Sequence, residues 1–207
     1  MSRAPARPFV IGVTGGIATG KSAVLAVLGE LGAEPIDADA VYHELIAPGL
    51  PLWRHLRDRF GEEIITPRGT IDRRKLGDIV FADASALVDL DALTHPAVVA
   101  EIKERLARAA SPVVAIDAVK LIESGLADIC DRVWLVTCDR DVQRTRLMSR
   151  NNLTPDEAER RLVAQPSVSA QAERADLIID NSGDLSSTQE LVQRAWDALP
   201  VASQPGG

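Results

Sequence analysis

Val10 to Gly32 reads VIGVTGGIATGKSAVLAVLGELG, a short apolar run that passes through glycines, a lysine and a serine into a stretch of helical periodicity. Gly15, Gly20, Lys21 and Ser22 satisfy GxxxxGK[ST], and a strand before that pattern with a helix after it is the context that gives it weight. Glycines let successive backbone N–H groups curl around anionic oxygens, and the positive end of the following helix adds to the attraction. The stretch reads as a P-loop and predicts a nucleoside triphosphate site. Lys21 would reach the β and γ phosphates, and the Ser22 hydroxyl would ligate Mg²⁺. A glycine-rich strand–helix turn can exist without a ligand, but the complete pattern in this setting argues against that reading.

The remainder of the chain alternates strand and helix in a way that suits such a loop. Phe9–Thr14, Pro112–Val119, Arg132–Cys138 and Asp176–Asn181 are short β-branched runs of the kind buried in parallel sheets, with Ala33–Ala38 a weaker fifth. Helical patterns lie at Lys21–Leu31, Pro96–Ala109, Arg140–Arg150, Thr154–Gln165 and Leu185–Leu199. This order predicts a doubly wound α/β sheet in one domain of 207 residues. Between Asp39 and Ala110 no clear strand appears beyond a turn-rich IITPRGTI, so this region reads as a helical insertion. The tail VASQPGG looks unstructured.

Composition excludes several classes of function. A formal net charge of −7 argues against general binding of nucleic acid or a membrane surface, so any anionic ligand must be captured locally. No apolar run approaches the roughly 20 residues that span a bilayer, and MSRAPARPF lacks a hydrophobic signal core, which points to the cytoplasm. Cys130 and Cys138 form neither a CxxC pair nor a Cys/His cluster and read as reduced packing residues. Trp53, Trp134 and Trp196 are scattered and read as packing residues; His43 and His55 read as surface positions.

Two further groups could carry chemistry. Asp37 and Asp39 stand at the end of the second strand, where ligands of open α/β sheets collect; a carboxylate there could take a proton from an attacking hydroxyl or hold Mg²⁺ through water. Equally, one of them could cap the helix beginning near Ala40. Arg146 and Arg150 lie one turn apart on one helix face, ahead of a Thr154–Glu157 capping box. Two guanidiniums could close over a triphosphate, although an Arg-rich helix is commonly a solvated face.

The ordered set GVTGGIATGKS, IDAD, DRRKLGDIVF, LTHP, LIESGL, RLMSRNNLT with Gln165 downstream, and ADLIIDNSG resembles the dephospho-CoA kinases of bacterial coenzyme A biosynthesis, from Val10 to about Trp196. The resemblance implies a P-loop NTPase fold of the nucleoside monophosphate kinase type. Its core would span about 8–39 and 110–200, a helical CoA-binding insertion about 40–110 and a lid about 140–174. It also implies transfer of the ATP γ-phosphoryl group to the ribose 3′-hydroxyl of dephospho-CoA, by a monomer or weak homo-oligomer. On this resemblance Asp39 is the general base, Lys21 and Arg146 share the catalytic work, and Asp37 orients Mg²⁺ or water. Gly15, Gly16, Ala18, Thr19, Gly20, Ser22, Ala23, Arg150, Asn181 and Gly183 border ATP. Thr14, Asp37, Arg73, Phe81, His95, Lys120 and Glu123 belong to the acceptor side.

The sequence departs from the usual family pattern at four places. Ala18 replaces a common glycine, which is tolerable if its φ is negative, and Ala23 replaces a frequent threonine. Gln171 stands where a basic residue is common, and Val119–Lys120 replaces Pro-Leu. Lys120 could pair with Asp39 or an acceptor phosphate, or pack its stem and turn its head toward Glu123. A P-loop kinase with another hydroxyl or nucleotide acceptor, and a non-catalytic nucleotide or CoA binder, are the alternative readings.

Overall fold

In a computed structural model of the chain, which describes residues 7–165 and 167–201, the apolar runs become five strands. They are β1 (Phe9–Gly15), β2 (Glu34–Asp37), β3 (Val113–Asp117), β4 (Arg132–Thr137) and β5 (Leu177–Asp180), in the spatial order β2-β3-β1-β4-β5. β1 pairs in parallel with both β3 and β4, and β4 in parallel with β5. Successive neighbours thus leave the central strand on both sides, and a crevice opens beyond its carboxyl end, where Gly15 begins the phosphate loop. Parallel strands covered on both faces need near-continuous apolar sequence, and Val10, Ile11, Val13 and Thr14 of β1 are all buried. Gly12 of the same strand has no room for more: a Cβ there would lie 2.7 Å from both Cys130 Sγ and a Leu121 methyl.

The helices are α1 (Lys21–Glu30), α2 (Ala38–Leu45), α3 (Pro51–Phe60), α4 (Arg73–Ala82), α5 (Ala84–Arg108), α6 (Arg140–Asn151), α7 (Pro155–Val163), α8 (Val168–Ala172) and α9 (Leu185–Asp197). Two expectations are corrected here. The helix expected to start at Pro96 begins at Ala84 and runs 25 residues with Pro96 inside it. The short α8 was not expected at all. All but the first residue of the expected tail 201–207 lies outside the described residues, as do the first six residues. Among the described residues no helix is long and apolar enough to cross a membrane.

Two compact units result. One comprises the described residues up to Ile36 and from Ala107 onward, with a core in which Val24 and Leu28 of α1, Trp134 and Val136 of β4, and Val192 of α9 meet β1 and β3. The other is Asp37–Leu106. Its core collects Leu52, Leu56 and Phe60, spaced four apart on α3, with Ile64, Leu76 and Val80. In this unit IITPRGTI forms a tight turn closed by an antiparallel bridge between Ile65 and Ile71, and Trp53 Nε1 donates to the Gly69 carbonyl at 2.9 Å.

Candidate active site

The loop between β1 and α1 is held in shape from below. Thr19 Oγ1 donates to the Gly16 carbonyl at 2.9 Å, and the Thr19 carbonyl accepts from Asn181 Nδ2 at 2.8 Å. The other end of that amide accepts from Thr188 Oγ1 at 2.7 Å, so both ends of the buried Asn181 amide are held. Gly20 sits at φ +93, and a Cβ on it would lie 1.8 Å from Asn181 Nδ2, which leaves glycine as the residue that fits. Gly20 is also the N-cap of α1 and has no side chain to satisfy the first N–H groups of the helix. Those donors, with the helix dipole behind them, suit an anion.

A cleft of about 890 Å³ opens over this loop. Gly15 to Ala18 and Gly20 to Ser22 form its floor, Asp117 and Val119 one wall, and Thr145, Arg146, Ser149 and Arg150 of α6 the other, with Gln165 beside them. Lys21 Nζ is paired with Asp117 Oδ1 at the end of β3. Arg146 Nη1 donates to the Asn181 carbonyl at 2.9 Å, which fixes its guanidinium beside Gly20. Burial pushes the Cys138 thiol up, against the pull of nearby Arg146, so this cysteine stays protonated at neutral pH. The cleft therefore assembles a phosphate cradle, one lysine, two arginines and a carboxylate.

The structure brings Gly15, Gly16, Ala18, Gly20, Lys21, Ser22, Arg146 and Arg150 together on this cleft, and it moves several others off it. Thr14 is fully buried, its hydroxyl donating to the Val119 carbonyl at 3.1 Å; it braces β1 rather than facing a ligand. Asn181 likewise braces the loop with its side chain. Ala23 N donates to the Gly20 carbonyl at 2.9 Å as part of the first helical turn. Gly183 lies past β5 with open space around it. Lys120 and Glu123 are exposed in the turns after β3, where Val119 supplies the cleft wall. Gln171 is buried in α8. The condition placed on Ala18 is not met: its φ is +60, a left-handed conformation that costs an L-residue about 1–2 kcal/mol. Asp117 escaped the sequence reading, though an acidic residue ending an apolar strand was a signal for it.

The remaining candidates lie in the Asp37–Leu106 unit. Asp37 caps α2, its Oδ1 accepting from the N–H groups of Asp39 at 2.8 Å and Ala40 at 3.0 Å. The capping duty falls on Asp37 and leaves the exposed Asp39 outside it. Arg73, first residue of α4, has Nη1 2.6 Å from His43 Nε2. His43 is exposed, as expected of a surface position, and it also has Arg73 as a side-chain partner. Burial pushes the neighbouring Tyr42 hydroxyl up, with Arg73 opposing. Phe81 stands 87% exposed on α4. His95 lies inside α5, Nε2 3.3 Å from Asp91 Oδ1, not at a helix start.

A loop that cradles phosphates at the switch point of a parallel sheet, faced by an arginine-bearing helix, belongs to the P-loop kinases. Within them the assignment is specific: the dephospho-CoA kinase family matches residues 9–187, and the chain belongs to that family. It is 46% identical over 192 residues to the dephospho-CoA kinase of Symbiobacterium thermophilum, covering 91% of this chain and 80% of that protein. It is 44% identical over 190 residues to that of Geobacter sulfurreducens, covering 90% and 96%. The dephospho-CoA kinase structure from Campylobacter jejuni superposes with a TM-score of 0.64 at 25% identity, over 90% of this chain and 94% of that one.

Proposed function

We propose that this chain transfers the γ-phosphoryl group of ATP to the ribose 3′-hydroxyl of dephospho-CoA, giving coenzyme A and ADP. The observation that carries the reading is the cleft over Gly15–Ser22, faced by Arg146 and Arg150, in a chain of this family. Phosphoryl transfer asks a protein mainly for alignment and for compensation of charge on the moving group. Lys21 leaves Asp117 to meet the β and γ phosphates, and the N–H groups at the start of α1 hold the same oxygens. Arg146, already oriented by the Asn181 carbonyl, meets the charge that spreads over the transferring oxygens, and Arg150 holds a phosphate. Asp39 takes the proton of the 3′-hydroxyl as its oxygen attacks phosphorus; the bond to the β-phosphate oxygen breaks and ADP leaves. Arg73 and Phe81 serve the acceptor.

The oxygen donors present suit Mg²⁺, which favours a hydroxyl, phosphates and retained waters over a cage of side chains. Ser22 would hold it, with Asp117 acting through water; when bound it would neutralise charge on the β and γ phosphates. Among the described residues there is no cluster of three or more His, Cys, Asp or Glu that could hold a metal alone. We place the enzyme in the cytoplasm, as a monomer or weak homo-oligomer.

Incubation with Mg-ATP and dephospho-CoA, followed by mass analysis, is the direct test. Coenzyme A and ADP should form in equal amounts. Faster transfer to a nucleoside monophosphate, with no coenzyme A formed, would overturn the reading.

A further inference from the structure

The apex of the phosphate loop is gripped by two glutamines from outside the loop. Ile17 N–H donates to Gln165 Oε1, just beyond α7, and the Ile17 carbonyl accepts from Gln143 Nε2 of α6 at 2.7 Å. Gly16 lies between them: a Cβ there would stand 2.5 Å from Gln165 Oε1 and 3.1 Å from Gln143 Nε2. Ile17 and Ala18 also pack against the small core of α6 and α7 formed by Leu147, Ala158 and Leu162. The grip has a polar and an apolar part, and both come from the helix pair that carries Arg146 and Arg150.

A trans peptide is planar, with its C=O and N–H pointing opposite ways. Holding the Ile17 carbonyl against Gln143 therefore fixes the Ala18 N–H on the opposite side. Holding the Ile17 N–H against Gln165 fixes the Gly16 carbonyl, the acceptor for both Oγ1 and N–H of Thr19. Ala18, at φ +60, would relax out of its left-handed conformation if its peptide could turn, and such strain persists only where the surroundings over-determine it. We infer that Gln143 and Gln165 are positioning residues that lock the peptides flanking Ile17, keep Ala18 left-handed, and so hold the phosphate-binding N–H groups in register with the arginines of α6. A glycine at position 18 would hold that conformation unaided; with alanine, the glutamines are required.

The inference rests on the triphosphate-binding half of the proposed function, so its test reads nucleotide binding without the acceptor. Titration calorimetry with Mg-ATP compares the full chain with Gln143→Met, which keeps the bulk and loses the donor, and Gln143→Glu, which turns a carboxylate toward the Ile17 carbonyl. Met should weaken Mg-ATP binding by ~3- to 10-fold, the worth of one such bond, and Glu should weaken it more. Melting temperature and KM for dephospho-CoA should hardly move. Ala18→Gly in the Met background should restore most of the loss, because the loop then needs no clamp. Gln165→Met, outside any helix, gives the same comparison if the α6 variants fail to fold. Unchanged Mg-ATP affinity in the Met variants, or a loss that Ala18→Gly leaves untouched, would overturn the inference. Failure to form coenzyme A with Mg-ATP binding intact would count against the proposed acceptor alone.

Discussion

Lys21 and Asp117 form a pair whose side chains are only 15% and 26% exposed. Removing one leaves a poorly hydrated ion. Lys21→Met and Asp117→Asn should each cost ~1–2 kcal/mol in urea unfolding, and the double variant should cost less than their sum. In turnover, Lys21→Met should lose orders of magnitude if Lys21 meets the β and γ phosphates as proposed; additive unfolding penalties would show that the two ions act separately. Cys130 yields a second expectation. Burial pushes its thiol up to about 12, with Asp131 adding to the rise. In the unfolded chain the thiol releases its proton near 9, so stability is full below that pH and falls as pH climbs toward 12. Cys130 is therefore held as the thiol at pH 8, and iodoacetamide should label it in the native protein far more slowly than in urea. Sequence made Lys21, Ser22, Arg146 and Arg150 legible because each sits in a local pattern. It hid Asp117 and Gln143, whose contacts with Lys21 and Ile17 span 96 and 126 residues, and it could not fix the sign of φ at Ala18.

At the scale of elements, the strands were readable because parallel strands bury both faces and leave β-branched runs in the chain. α5 was misread for a physical reason: proline has no N–H and is most at home in a first helical turn, so Pro96 looked like a start. The helix instead continues N-terminally to Ala84, and the hydroxyl of Thr94 donates to the Leu90 carbonyl at 2.8 Å just before the proline. The capping box of α7 was legible and is present. Thr154 Oγ1 accepts from the Glu157 N–H, and Glu157 Oε2 accepts from the Thr154 N–H at 2.9 Å. That backbone bond first, and the Thr154 hydroxyl second, hold the Glu157 carboxyl below its ordinary value. Its folded form is thus favoured above the ordinary pKa of 4.5, and that contribution is lost as pH falls through the lowered folded value. Thr154→Ala should speed amide exchange in α7 several-fold at pH 7, with the strands unchanged. The gap from wild type should narrow as pH falls below 4.5 and through the lowered folded value, where the Glu157 carboxylate takes up its proton. An equal acceleration in β1 and β4 would mean that the cap stabilises the whole unit instead of the helix.

Across the whole molecule, a chain of net charge −7 has to bind a polyanion, so the attraction must be local, and Lys21, Arg146, Arg150 and the start of α1 concentrate it on one cleft. Every described residue lining that cleft belongs to the unit containing the sheet, while Asp37, Asp39, Arg73 and Phe81 belong to the other. Nucleotide and acceptor should therefore leave different footprints. Mg-ATP at about 100 times its Kd adds ~2.7 kcal/mol by mass action, which in a chain of this size raises the melting temperature by about 5–10 °C. Amide exchange should slow over Gly15–Ser22 and along α6, with little change in the core formed by α3 and α4. If Ser22 holds Mg²⁺ as proposed, adding EDTA should remove much of the gain. Dephospho-CoA should instead slow exchange around α2 and α4. If ATP without metal shifted the melting temperature as far as Mg-ATP, Lys21 and the arginines would be sufficient for binding and Ser22 would have no metal to hold. If Mg-ATP protected α3 and α4 first, the assignment of the cleft to the triphosphate would be wrong at its root.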